Sequence, residues 1–355
     1  MSWQSISVKE SLAKIKRAGK LQKSQYLENG PFPVIDQGEG QIAGYSDNEE
    51  IVQKSPLPLV VFGDHTRRVK LATEPFVCGA DGTQLLYPNT EDIDPVFYYY
   101  AIKNIDLSNY FYARHFKFLK DQEFQYPDLA SQRRIVSVLS AYDDLIENNR
   151  RRIALLEETA RLLYREWFVH FRFPGHEHVK IVDGVPEGWL PKTIGEHCPL
   201  VYGKALKADS RVPGECDVFG SSGIVGSHNK KFVSGPAIVV GRKGNVGSIF
   251  WARRDFWPID TVYYVAPENC DFFTYYALQH VTFINTDVAV PGLNRDFAHS
   301  RELLIPTEAL LETFHSHVEP IQAQIGLLER QSTELSKARD LLLPRLMNGR
   351  LEVTA

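Results

Sequence analysis

Cysteine is scarce. Cys78, Cys198, Cys216 and Cys270 form no C-x-x-C pair and have no histidine at ligand spacing. A disulfide framework or a zinc site is therefore not expected, and the thiols read as reduced and buried. No apolar run is long enough to cross a bilayer, and the opening MSWQ does not begin a signal peptide, so a cytoplasmic protein is expected. Positive charge is not in excess either. Lys plus Arg against Asp plus Glu is 14 to 17 over residues 1–128, 8 to 6 over 129–174, 13 to 14 over 175–306 and 5 to 7 over 307–355, for a net of −4. That excludes a nonspecific basic coat for nucleic acid, but a reader with local basic loops survives. Signatures of catalysis are missing as well. There is no GxxxxGK[ST] phosphate loop, no Asn-Pro-Pro-Tyr-like methyltransferase motif and no acid-and-lysine run of a metal nuclease, while Asp64 and His65 lack a nucleophile at diagnostic spacing. The chain is read as non-catalytic, with no metal or cofactor of its own.

What the sequence does have is two long helices. From residue 129 to 172 an apolar seam at alternating three- and four-residue steps runs through Ile135, Leu139, Tyr142, Ile146, Asn149, Ile153, Leu156, Ala160, Leu163 and Trp167. From Thr307 a second seam runs through Leu311, Phe314, Val318, Ile321, Ile325, Leu328, Ser332, Leu335 and Leu342. Tyr126-Pro127-Asp128 and Ile305-Pro306-Thr307 place N-caps before them, Pro174-Gly175 closes the first, and Pro344 is expected to kink the last turn of the second. Asn149 in the seam reads as a register-setting polar residue. A helix of some 35 to 40 residues spans roughly 55 Å and needs a partner of similar length.

Laid against itself at an offset of about 179, the chain repeats. Residues 32–44 (FPVIDQGEGQIAG) fall on 216–226 (CDVFGSSGIVG), 58–63 (PLVVFG) on 236–241 (PAIVVG), 85–88 (LLYP) on 264–267 (YVAP) and 97–101 (FYYYA) on 273–277 (FTYYA). The organisation is globular domain (1–128), helix (129–174), globular domain (175–306), helix (307–355). Each globular domain reads as short apolar strands with one shorter helix, near 95–105 and again near 270–281. The fold class is α+β: two mixed α/β domains in a pseudo-twofold repeat, separated by a long two-helix coiled coil. Connectivity makes that coiled coil antiparallel. Two similar but unequal heads on a fixed spacer suggest a ruler.

The residues resemble the specificity (S) subunit of type I restriction-modification systems, whose two target-recognition domains and two helical regions match the whole chain. The phrases 61–67 (VFGDHTR) and 76–83 (FVCGADGT) are similar to one common recognition-domain type. The phrases 219–226 (FGSSGIVG), 241–247 (GRKGNVG) and 289–295 (AVPGLNR) are similar to another. SQRRI at 131–135, AYDDLIENN at 141–149 and LYREWF at 163–168 resemble the helical region, whereas 310–314 (LLETF) departs from the family's Pro-x-x-x-Gln-Arg start. The resemblance implies a non-catalytic adaptor that reads a bipartite, asymmetric sequence in double-stranded DNA. It would dock two adenine methyltransferase (M) subunits and be joined by translocating restriction (R) subunits. S-adenosylmethionine, ATP and Mg would belong to those partners. A recognition subunit of a type II-like methyltransferase-nuclease, or a coiled-coil scaffold with no DNA role, are the alternatives.

A DNA reader needs bidentate donors and acceptors on loops, with cations for phosphates. Lys14, Lys16, Arg17, Lys20 and Lys23 run without an intervening acid, and read either as phosphate contacts or as a solvated helix face. Gln37 on a glycine-flanked turn suits adenine. His65, Thr66, Arg67 and Arg68 follow an apolar strand, with either arginine suited to guanine or to an ordinary surface role. In the second domain the candidates are Ser221, Ser222, His228, Asn229, Lys230 and Lys231, expected on one loop, then Arg242, Lys243 and Asn245, and Asn294 with Arg295. The glycines at 241, 244 and 247 precede a strand pattern, so a tight turn is expected there rather than a nucleotide cradle. The tyrosines at 98–100 and 275–276 read as helix–sheet packing, and Tyr110, Phe111 and Tyr112 belong to the same cluster.

Overall fold

The two stretches richest in buried apolar residues, LVVFG and AIVVG, are strands with every residue buried, and each is an interior strand of its sheet. The computed structural model describes residues 3–109, 114–284 and 292–353. Tyr110, Phe111, Tyr112 and the first three residues of the AVPGLNR phrase lie outside these. The chain divides into two compact units, Met1–Asn148 with Gln331–Ala355, and Asn149–Arg330. The two long helices, α4 (Leu129–Tyr164) and α8 (Glu308–Met347), contribute residues to both.

In the first unit the order is β1 (Gln4–Ser7), α1 (Val8–Ser11), β2 (Phe32–Ile35), β3 (Gly44–Ser46), β4 (Val52–Gln53), β5 (Leu59–Gly63), β6 (Val69–Ala72), β7 (Phe76–Cys78), β8 (Thr83–Leu86), α2 (Pro95–Asn104), α3 (His115–Lys120) and β9 (Glu123–Tyr126). β5 pairs antiparallel with β6 and β8. β2 pairs antiparallel with β3 and parallel with β7, and β4 lies beyond β7. β1 and β9 pair antiparallel. Asp94 caps α2 by accepting the N–H groups of Val96 (2.9 Å) and Phe97 (3.0 Å), with Pro95 in the first turn. Apolar on all sides, α2 is buried against β5 and β6 and shares its core with Ile135 and Leu139 of α4. Its three tyrosines are buried, and each hydroxyl is partnered. Tyr98 meets Ser11 (3.0 Å), Tyr99 accepts from Lys103 (3.0 Å) and Tyr100 donates to Asp143 (2.7 Å).

The second unit repeats this plan after a short hairpin, β10 (Ile181–Val182) and β11 (Val185–Pro186). It continues with β12 (Leu190–Thr193), α5 (Ile194–His197), β13 (Leu200–Tyr202), β14 (Cys216–Gly220), β15 (Gly223–His228), β16 (Ala237–Gly241), β17 (Ile249–Ala252), β18 (Phe256–Pro258), β19 (Val262–Val265), α6 (Phe272–His280), α7 (Arg295–His299) and β20 (Glu302–Ile305). The equivalences extend to the pairings. β14 takes β15 antiparallel and β18 parallel as β2 takes β3 and β7, β16 lies between β17 and β19, and β12 pairs with β20 as β1 does with β9. Even the capping boxes recur, Ser7 with Glu10 on α1 and Thr193 with Glu196 on α5.

The helices pair antiparallel within each unit. In the first, Ile135 and Leu139 of α4 share a core with Leu343, Leu346 and Met347 of α8, and Arg339 of α8 bonds Asp143 of α4. In the second, Tyr164 and the following Trp167 and Phe168 surround Phe314, with ring centroids 6.3, 5.9 and 4.9 Å away. Of the seam positions, Ile135, Leu139, Trp167, Val318, Ile325 and Leu328 are buried, as is Asn149. Tyr142, Ile146, Ile153, Leu156, Leu163, Ile321, Leu335 and Leu342 are half-buried. Asp128 opens α4 by accepting the Ser131 N–H (3.0 Å), and α8 runs on past Pro344 to Met347. The wholly buried Gln132 supplies the polar tie at the base of α4. Its amide donates to Asp92 O and Pro127 O (both 2.8 Å), and its oxygen accepts from Asp94 N (2.9 Å).

Candidate nucleic-acid interface

Where β5 ends at Gly63, three loops of the first unit meet. The Gly63 carbonyl accepts from Arg67 N (2.8 Å), closing a turn that leaves His65, Thr66, Arg67 and Arg68 exposed. Thr66 Oγ1 donates to Gln37 O (2.8 Å), which holds the 36–40 loop to this turn, and Asp64 N donates to Gly82 O (2.6 Å), which adds the β7–β8 loop. The Gln37 carboxamide lies between them, its oxygen accepting from His65 N (3.1 Å) and its nitrogen donating to Asp81 O (3.0 Å). One N–H and one lone pair of that amide remain for a base, so its first duty is as a brace. Gly82, at φ +76, cannot gain a Cβ without meeting His65 2.7 Å away. Arg67 has φ +59 and donates to Leu107 O (3.0 Å), whereas the Arg68 guanidinium makes an exposed pair with Glu39 (3.3 Å) that a phosphate or base can displace. Lys70 is buried beneath, donating to Gly40 O 3.7 Å from Asp36, and burial pushes its ammonium pKa down.

From Ala13 to Gln22 the basic run before β2 is not helical, tied to the sheet by Ala13 N to Tyr87 O and Leu21 N to Cys78 O (both 2.9 Å), and Lys23 opens a short 3-10 turn. Extended backbone alternates its side chains. Lys14, Lys16 and Lys20 accordingly share one exposed face, with Lys23 exposed just beyond, while Arg17 turns to Gln84 (2.8 Å).

The second unit builds the same loop cluster with different side chains. Gly241 O accepts from Gly247 N (2.9 Å), Arg242 N donates to Thr261 O (2.9 Å), and Ser248 Oγ reaches Ser221 O (2.6 Å) as Thr66 reaches Gln37. Lys243 bridges to Gly292, and Leu293 N donates to Arg242 O (2.8 Å), which brings in the segment holding Asn294 and Arg295. The glycines at 241, 244 and 247 therefore make a tight turn leading into β17, with Lys243 and Asn245 exposed on it. Asn294 is the N-cap of α7, accepting from Phe297 N (3.0 Å). At the centre lies Tyr202, with the guanidinium carbons of Arg242 and Arg295 4.9 and 4.8 Å from its ring centroid. Beside it, Tyr263 donates to Leu293 O (2.8 Å), and burial pushes its hydroxyl pKa up to about 12.

Two sequence expectations change here. Residues 221–231 do not form one loop, because β15 runs between Ser221-Ser222 at the hairpin turn and Asn229, Lys230 and Lys231 at its far end, about 20 Å away for six strand residues. His228, at that far end, is buried. Its Nδ1 accepts from Val212 N (3.1 Å) and its ring packs edge-on to Trp257 (5.3 Å), so the side chain serves the interior. Lys231 pairs with Asp255 (2.7 Å), while Asn229 and Lys230 are exposed. The residue missed from sequence is Tyr202. Its only local signal was an aromatic at the end of an apolar triplet before Gly203-Lys204.

Residues 2–158 match the family model for the type I restriction modification DNA specificity domain. The chain is 26% identical over 269 residues to the MjaIX type I restriction enzyme specificity subunit of Methanocaldococcus jannaschii, covering 66% of this chain and 62% of that protein. It is 22% identical over 315 residues to the HindI specificity subunit of Haemophilus influenzae, covering 63% and 68% respectively. The likeness to type I restriction-modification specificity subunits thus extends over residues 2–158 in the family model and over 66% and 63% of the chain in the two relatives. The crystal structure of a type I restriction-modification S subunit from M. genitalium has the same fold, with TM-score 0.56 at 18% identity over 99% of this chain and 97% of that one. The match to the first relative thus leaves over a third of that specificity subunit unspanned. Among the described residues, no helix is long and apolar enough to cross a membrane, and no three His, Cys, Asp or Glu side chains are grouped to hold a metal ion.

Proposed function

We propose that this chain is the DNA-reading subunit of a type I restriction-modification complex. Residues 1–128 and 175–306 each recognise a few base pairs, and the helical regions 129–174 and 307–355 carry the methyltransferase (M) and restriction (R) subunits. The chemistry, with its S-adenosylmethionine, ATP and Mg, resides in those partners. What carries the reading is the loop cluster at the end of β5 and its repeat at the end of β16, the same backbone scaffold presenting different polar side chains. His65, Arg68 and Thr66 in one cluster, and Ser222, Lys243 and Asn245 in the other, offer different donor and acceptor sets. The recognised sequence is accordingly bipartite and asymmetric. Lys14, Lys16, Lys20 and Lys23 supply phosphate contacts, which fix register without reading sequence. The exposed Arg150, Arg151, Arg152, Glu157 and Glu158 of α4 offer charge pairing to the partners.

Methylome sequencing of a host carrying the methyltransferase with and without this chain tests the reading. One split adenine-methylation motif should depend on the chain. Exchange of residues 1–128 for another such domain should alter one half of it. Methylation that is scattered, absent or independent of the chain would refute the reading, and a change in both halves would refute independent heads.

A further inference from the structure

The second loop cluster brings two cations together. The guanidinium carbons of Arg242 and Arg295 lie 4.9 and 4.8 Å from the centroid of Tyr202, and Arg242 is also 5.7 Å from Tyr263. The two charges are therefore less than about 10 Å apart, a separation at which like charges still repel inside a Debye length. Among the described residues, neither forms a salt bridge. Arg242 Nη1 donates to Asp260 O (3.1 Å), and the buried Nε of Arg295 has no acceptor among the described residues.

This pair is not something the fold requires. In the first unit the position after Gly63, at the end of β5, is Asp64 rather than Arg242, and the first residue of α3 is His115 where α7 begins with Arg295. There the two positions satisfy each other. His115 N and Nδ1 both meet Asp64 O (2.9 Å), and Asp64 Oδ1 accepts from Phe116 N (2.8 Å). The second unit keeps the backbone scheme but places two cations on an aromatic platform.

We propose that Arg242 and Arg295, held against Tyr202, form a clamp for a single backbone phosphate of the bound duplex. A base edge is planar and takes one fork of donors in its own plane. Two guanidiniums approaching from different loops, one of them with an in-plane donor already used on a carbonyl, suit a tetrahedral anion whose oxygens point several ways. The clamp positions the second domain on DNA and reads no sequence, leaving Lys243, Asn245 and Ser222 to do so. It rests on the DNA-reading function proposed above.

The test is equilibrium DNA binding by the complex of the full chain with its methyltransferase, over a range of salt, on a duplex carrying the methylated motif and on a scrambled duplex. R242Q/R295Q should weaken both duplexes by a similar factor, roughly 5- to 30-fold. It should also lower the slope of log K against log salt by about 0.9, the loss of one phosphate, whereas two independent contacts would lower it by about 1.8. R242K/R295K, which keeps both charges, should retain most of the slope and shows that the site still folds. An unchanged slope, a drop near 1.8, or loss of discrimination at one base pair would each overturn the clamp. So would free ATP displacing DNA from the wild-type complex but not from R242Q/R295Q, which would assign the site to a nucleotide. A wild-type complex that fails to prefer the motif overturns the DNA-reading function itself, and is told apart because no variant is needed to see it.

Discussion

Phe314 is the residue whose loss should be most visible. It is wholly buried in α8, and its ring centroid lies 4.9 to 6.4 Å from those of Tyr164, Trp167, Phe168 and Tyr276, so α4, α6 and α8 meet on one side chain. Phe314→Ala removes a ring from a site walled by other rings on three elements, which cannot collapse inward cheaply. The cost should lie at the upper part of the usual range for such changes, about 3–5 kcal/mol. Set against the 5–15 kcal/mol that holds a typical domain, this is a large fraction. The assay is built into the sequence, because four of the five tryptophans, Trp167, Trp189, Trp251 and Trp257, belong to Asn149–Arg330, and Trp167 touches Phe314 itself. With a urea dependence near 2 kcal/mol per molar, the midpoint followed by tryptophan fluorescence should fall by about 1.5–2.5 M. F314L, which keeps the site apolar and mostly filled, should lose well under half of that. A shift for F314A below about 0.5 M would mean that the helices are not held by this cluster, and the account of their pairing would fail with it.

Three further expectations concern individual groups. Arg339→Met leaves Asp143, which is only 28% exposed, with the Tyr100 hydroxyl as its remaining partner; thermal melts should show a loss of about 1.5–3 kcal/mol, and R339M/D143N should recover at least a third of it, strict additivity being the refuting result. His197, His280 and His299 all have pKa values pushed down, chiefly by burial, and His299 Nε2 accepts from Leu200 N (2.8 Å), which only the neutral ring can do. Folded values below the unfolded value of about 6.5 mean that their stabilisation is present above that pH and is lost as pH falls through 6.5 towards the folded values. The fluorescence midpoint should therefore drop on acidification from about pH 7.5, H299Q should flatten the slope, and a pH-independent midpoint would exclude the effect. Gln37→Ala removes two bonds that tie the 64–68 turn to its neighbours, so amide exchange at His65 should quicken by about tenfold, corresponding to roughly 1.4 kcal/mol, and unchanged exchange would deny the brace.

Most of the scaffold could be read before any coordinates because its signals are periodic. The seams of α4 and α8 repeat every three or four residues, and PLVVFG and PAIVVG are dense enough in β-branched residues to stand out in any register. The tyrosines of α2 and α6 were legible as packing because the same cluster recurs at the same place in both halves. β15 was not legible. Its residues, GIVGSH, contain two glycines and leave Ile224 and Val225 exposed, so it has neither a period-two apolar face nor the composition of a strand, and nothing local distinguishes the buried His228 from a loop residue. Tyr202 was hidden for another reason. Its significance lies in Arg242 and Arg295, which reach it from loops that are close only after β13, β19 and β16 have paired. Adjacency across a sheet leaves no trace in local spacing.

The same comparison explains how one scaffold can hold two different surfaces. The turn after β5 and the turn after β16 are closed by backbone groups: Gly63 O with Arg67 N and Asp64 N with Gly82 O in one, Gly241 O with Gly247 N and Arg242 N with Thr261 O in the other. Because these bonds do not involve side chains, the residues on the turns can change without unpairing the sheet. The one side-chain tie that recurs, Thr66 to Gln37 O and Ser248 to Ser221 O, uses a hydroxyl that either residue type supplies. Positions 64 and 242 can then differ as much as a buried aspartate differs from a stacked arginine, provided that the residue opening the following short helix changes with it, as His115 and Arg295 do. Arg242 and Arg295 meet through the Tyr202 ring, so a substitution at 242 alone should be felt at 295 before it is felt anywhere in the sheet.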